Sequence, residues 1–238
     1  VSDRIPLLIS SLTTALYPLS SEAIGSEKMA ELRRLYLYSV RLLVWLSAFL
    51  ATLVVVGAQD LLLLWVGPEF AMKSWFVLAT LAVAAVWRTP STVAFQVYNG
   101  LGRADIGIQL AWIYFLALTA AALLLTPTWG INGTAMAILI TTVPTALYAD
   151  ILTQRKLLGQ TDWSLILLPY VKPWLVGCVL VLALSLVPER GSWLNLGLRG
   201  LAICSGFLGG LLLLDRAILE TMWGKVCKIS NRMGPQPR

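Results

Sequence analysis

Histidine is absent from this chain of 238 residues, and only 13% of its residues are charged, about half the roughly 25% of an ordinary soluble domain. The missing imidazole removes the commonest general base and the commonest metal ligand. Acidic residues are few, twelve against eighteen Lys and Arg, and no two of them pair inside an apolar run. Asp150, Asp162 and Asp215 fall near the ends of such runs. No Gly-x-x-x-x-Gly-Lys-Ser/Thr loop is present, so the sequence offers no phosphate cradle for nucleotide hydrolysis. The three cysteines, Cys178, Cys204 and Cys227, lack metal-ligand spacing and read as free thiols. With no acid/base pair, metal cluster or activated nucleophile in view, the sequence predicts neither an enzyme nor a bound cofactor.

What the chain has instead is hydrophobicity. Apolar residues make up 58% of it and the mean hydropathy is +0.79, which places it among integral membrane proteins. The pattern predicts an all-α, polytopic bundle of about seven transmembrane helices, over residues 5–20, 38–57, 75–98, 106–127, 131–150, 164–187 and 194–214. The first run has no basic region or small-residue cleavage site ahead of it, so it does not read as a signal peptide. The simpler expectation is that the sequence enters partway through a longer polytopic protein.

The net charge of +6 does not point to nucleic acid, because the basic residues sit in short connections between apolar runs. One side holds Lys28, Arg33, Arg34, Arg41, Arg103, Arg155, Lys156, Arg216, Lys225, Lys228, Arg232 and Arg238; the other holds Arg4, Lys73, Arg190 and Arg199. By the positive-inside rule the start of the chain lies outside and the C-terminal tail in the cytoplasm.

The span over 75–98 is the unusual one. Arg88 sits near its middle, where a guanidinium costs a few kcal/mol unless it faces a bundle interior or a wet cavity. Pro90 bends the helix beside it. Two readings stand for Arg88: a cavity residue that contacts an anion, or a structural one that makes a salt bridge or bonds the carbonyls freed at Pro90. Gln96, Tyr98 and Asn99 close the span and are either ligand contacts or helix-to-helix hydrogen bonds. Elsewhere, residues 26–41 carry Met29, Leu32, Tyr36 and Val40 at helical spacing with charges opposite, which predicts an amphipathic helix in the headgroup layer or a docking surface. Gly67-Pro68 marks a turn inside an external connection over 57–75. Trp65, Trp75, Trp129, Trp163 and Trp193 read mainly as interfacial anchors. Lys172 lies close enough to the start of its span to snorkel to the boundary. Gly130 with Gly133, and Gly206 with Gly210, read as sites of close helix packing.

In order, Leu16-Tyr17-Pro18-Leu19-Ser20, Leu64-Trp65-Val66-Gly67-Pro68-Glu69-Phe70, Pro90, Asn99-Gly100-Leu101-Gly102-Arg103 and Trp129-Gly130-Ile131-Asn132-Gly133-Thr134-Ala135 resemble the C-terminal half of a polysaccharide or O-antigen (lipid-linked oligosaccharide) flippase of the multidrug/oligosaccharidyl-lipid/polysaccharide exporter superfamily. The resemblance covers residues 1–155. Residues 156–218 add two generic spans and 219–238 form a basic cytoplasmic tail. What the resemblance implies is the C-terminal lobe of an exporter of twelve to fourteen spans in a bacterial inner membrane. Such a lobe works by alternating access on a lipid-linked oligosaccharide or polysaccharide precursor, in contact with membrane lipids and alongside other polysaccharide-assembly proteins. Arg88 would then hold the anionic part of the substrate and Gln96, Tyr98 and Asn99 its glycan. Rival readings are a drug/cation antiporter of the same superfamily, which no carboxylate at a span centre supports, and a membrane polysaccharide polymerase or glycosyltransferase, which the short external loops disfavour.

Overall fold

The computed structural model describes residues 29–158, 163–186 and 193–215. They form five helical elements: α1 (Met29–Trp65), α2 (Pro68–Gly100), α3 (Ala104–Leu158), α4 (Trp163–Ser185) and α5 (Trp193–Leu214). No strand occurs among the described residues. α1, α2, α3 and α5 are each long and apolar enough to cross a membrane, while the apolar part of α4, Tyr170–Ser185, is shorter. The expected run over 5–20 and the tail over 219–238 lie outside the described residues.

α1 is the central element, packed on α2, α4 and α5. It corrects two expectations. Residues 29–41 do not form a separate helix in the headgroup layer, because nothing between Met29 and Val56 can break the helix: the stretch contains no Gly and no Pro. Its apolar stripe, Leu32, Tyr36 and Val40, continues into the span and is buried in the bundle core. The external connection over 57–75 is likewise mostly helix, since α1 runs on to Trp65 and α2 starts at Pro68. Only Val66 and Gly67 remain as a link. Gly67 adopts φ 116°, open to glycine and strained for other residues, and Pro68 opens α2 where its missing N–H is no loss. The turn expected at Gly67-Pro68 is therefore present.

Two ion pairs hold α1 antiparallel to α5. Arg41 Nε lies 3.5 Å from Asp215 Oδ2, which also accepts a 3.3 Å bond from the Trp45 indole. Toward the other end Arg199 Nη1 donates to Asp60 Oδ2 at 2.9 Å, with both side chains buried. Nineteen residues separate Arg41 from Asp60 on α1, about 28 Å of helix, which matches the roughly 30 Å of hydrocarbon in a bilayer. Between the two pairs the contact is apolar, with Phe207 edge-on to Trp45 and Phe49. Lys172 reaches one end of the bundle, where its Nζ donates to the Leu214 carbonyl at 2.6 Å and caps the last turn of α5.

α3 is a folded hairpin. Gly130 takes φ 58°, ψ −135°, a conformation almost confined to glycine. The Thr126 and Thr134 hydroxyls on either side of it are 3.0 Å apart, whereas residues eight apart in a straight helix are separated by about 12 Å. The chain therefore doubles back, and its two arms correspond to the expected runs over 106–127 and 131–150. Gly130 supplies the turn instead of a packing contact. Gly133 does pack as expected, since a Cβ there would run into the carbonyl of Leu125. Gly206 and Gly210 likewise let α5 approach Leu180 and Val176 of α4.

The hairpin leans mainly on α2. Its first arm exposes Ile108, Trp112, Phe115, Leu116, Leu123 and Leu124, the apolar surface a lipid-facing helix presents. Trp65, Trp129 and Trp193 stand exposed at the hairpin-tip end of the bundle, which suits an interfacial belt.

Candidate functional site

Between α2 and the two arms of α3 lies a cavity of about 300 Å³. α2 contributes Arg88, Ser91, Thr92, Phe95 and Tyr98, one helical face recurring every three or four residues. Opposite it stand Tyr114 from the first arm and Thr142, Thr145 and Ala149 from the second. Alanines and Gly107 between these polar groups keep the walls thin.

Arg88 is exposed on this face. Its guanidinium carbon lies 5.6 Å from the centre of the Tyr114 ring, within range of a cation–π contact. Among the described residues no carboxylate approaches it within ion-pairing distance. The hydroxyls nearby are largely occupied by their own helices: Thr92 bonds the Arg88 carbonyl at 3.1 Å and Thr145 that of Thr141 at 2.6 Å. Thr142 differs, because its Oγ1 is buried without a hydrogen-bond partner although the residue lines the cavity, and an orphaned hydroxyl of that kind costs free energy until something bonds it.

Of the four residues singled out in the sequence, the structure brings Arg88 and Tyr98 to the cavity wall. Gln96 and Asn99 do not line it; Asn99 instead offers its carbonyl to Gly102 N at 3.1 Å in the turn that ends α2.

At the floor of the cavity is a buried polar cluster drawn from four helices. Tyr98 donates to Thr153 Oγ1 at 2.7 Å, and Thr153 in turn donates to the Ala149 carbonyl at 2.7 Å. Tyr170 of α4 donates to Asp150 Oδ2 at 2.6 Å while its ring stacks on Trp87, with centroids 4.7 Å apart. Tyr36 of α1 approaches both Thr153 and Asp150. Asp150 and Gln154 are only 5% and 3% exposed, yet Asp150 Oδ1 and Gln154 Oε1 have no hydrogen-bond partner. The sequence reading passed over this cluster. Its one visible signal was the spacing of Asp150, Thr153 and Gln154, which puts all three on one side of a helix.

Searches of protein-family models, curated proteins and solved structures find no match to this chain.

Proposed function

We propose that this protein is the C-terminal lobe of a membrane exporter that passes a lipid-linked oligosaccharide or polysaccharide precursor across a bacterial inner membrane by alternating access. In this reading the seven runs are seven crossings, the first external, and the polar-cluster end of the bundle faces the cytoplasm with the basic connections.

The observation that carries the proposal is the state of Arg88. It lies well inside a membrane-length helix, exposed, on a cavity that an orphaned hydroxyl also lines, and without a carboxylate in ion-pairing distance among the described residues. A guanidinium in that position is stable only against water, protein or an anionic ligand. Its fork of donors suits phosphate or carboxylate oxygens, and the hydroxyls of Tyr114 and Thr142 suit a glycan. A lipid-linked glycan carries both chemistries in one molecule.

The test is complementation in a strain lacking its oligosaccharide flippase, with the chain expressed together with any in-frame sequence that precedes it. Surface polysaccharide is read out for the parent, Arg88→Ala and Arg88→Lys. Loss of export by Arg88→Ala, with normal accumulation in the membrane and partial rescue by Lys, supports the anion-contact role. Failure of the Ala variant to accumulate makes Arg88 structural, and full export by it removes Arg88 from the path.

A further inference from the structure

We propose that Tyr114 is the positioning residue of the Arg88 site: its ring holds the guanidinium across the cavity so that the free donors of the fork meet a phosphate or carboxylate group. The inference rests on the reading of Arg88 as an anion contact, and it adds the side chain through which the first arm of α3 takes part.

The register of the helices brings the two residues together. Arg88 stands fourteen residues before Gly102 and Tyr114 twelve after it, which is about 21 Å and about 18 Å along two helices that run antiparallel from the turn. Between the turn and this level the arm lies close against α2. A Cβ at Gly107 would come within 2.6 Å of Phe95 Cε2, so the missing side chain is what permits the approach. The Arg88 guanidinium carbon then rests over the Tyr114 ring, 5.6 Å from its centre.

What the ring does follows from what Arg88 lacks. Among the described residues its guanidinium makes no hydrogen bond and no ion pair. A side chain with so many rotatable bonds gives up much rotamer freedom when a ligand fixes it, and that loss weakens binding. A guanidinium already held over an aromatic face has less freedom left to lose. The ring occupies one side of the cation, so the donors directed away from it stay free. Their planar fork fits two oxygens abreast, as in phosphate or carboxylate, and has no such match to a chloride ion. Thr142 Oγ1, unpartnered on the wall of the same cavity, offers a hydroxyl to a further oxygen of the bound group. Arg88 belongs to α2, Tyr114 to the first arm of α3 and Thr142 to the second, so the site is whole only while the hairpin lies on α2.

The test uses the purified full chain in nanodiscs, titrated calorimetrically with inorganic pyrophosphate in chloride buffer of constant ionic strength. Leucine suits a half-buried position on an arm whose neighbours face lipid, so the fold survives Tyr114→Leu. That variant should weaken pyrophosphate binding by about threefold to thirtyfold, and Tyr114→Phe, which keeps the ring, should stay within about twofold of the parent. In an Arg88→Lys background the loss caused by Tyr114→Leu should be smaller, because an ammonium is a point charge with no plane to orient. Undiminished binding by Tyr114→Leu overturns the inference, as does equal weakening by Phe and Leu, which would make the hydroxyl the operative group. A loss as large in the Arg88→Lys background as in the parent also overturns it, by showing that the ring only supports the structure. Those three results leave Arg88 standing as an anion contact. If the parent binds no pyrophosphate, or Arg88→Ala binds it as the parent does, the Arg88 reading falls and this inference falls with it.

Discussion

Replacing Asp60 with Leu removes the carboxylate that faces the buried Arg199 guanidinium. The pair is 2.9 Å apart, with side chains 3% and 8% exposed, so water cannot take over the role of the lost carboxylate. Removing one partner of such a pair costs about 3–5 kcal/mol, because the remaining ion is left desolvated. Removing both, as in Asp60→Leu with Arg199→Met, should restore stability to within about 1 kcal/mol of the parent, since two ions and their desolvation penalties disappear together. The coupling energy from the cycle of Asp60→Leu, Arg199→Met and their double variant should therefore be at least about 5 kcal/mol. Unfolding in mixed micelles, titrated with a denaturing detergent, measures each corner of the cycle. For a chain of this size the single variants should lose roughly 6–20 °C in unfolding temperature. Single losses below about 1 kcal/mol, the level of a solvated surface pair, would refute the reasoning, as would a double variant that loses the sum of the two singles.

Gly130→Ala should destabilise the hairpin by about 1–3 kcal/mol, because φ 58° with ψ −135° is closed to a Cβ; thermal unfolding of the variant in detergent checks it. Lys172→Met removes the 2.6 Å cap on the Leu214 carbonyl and should cost about 0.5–1.5 kcal/mol, with faster amide exchange confined to the last turn of α5. If the two ion pairs mark the membrane boundaries, then in a background without native cysteines Ser39→Cys and Trp65→Cys should react with an impermeant maleimide from opposite sides, and Val54→Cys from neither. Labelling of Ser39→Cys and Trp65→Cys from one side would show that α1 does not cross.

Much of the helical framework was legible because it follows from local chemistry. Runs of apolar residues and the Gly67-Pro68 turn each constrain the backbone within a few residues, whereas Gly130, expected as a packing site, is the turn of the hairpin. Helix length was read less well: the charges in residues 26–41 and at Asp60 suggested connections, yet α1 passes through both, because a membrane helix keeps polar residues whenever a neighbour receives them. Those neighbours were out of reach of sequence reasoning. Arg41 meets Asp215 and Asp60 meets Arg199 only once α5 packs antiparallel on α1. The site was legible in the same partial way. Arg88 declared itself by being a charge in an apolar run, and Tyr98 by its proximity on the same helix. Asp150 and Tyr170 sat near the ends of their runs, where polar residues are ordinary, and only the approach of α4 to the second arm of α3 gives them significance.

The hairpin of α3 is attached along α2 and touches α1 and α4 sparingly. It is thus a lever whose fulcrum is the short turn over 101–103 and whose free tip is Gly130. The Tyr170–Asp150 bond is the bolt that joins this lever to the rest of the bundle on its far side, and it sits directly beneath the cavity that the lever walls. A change that parts Tyr170 from Asp150 therefore frees the hairpin from α4 at the same place where it walls the cavity.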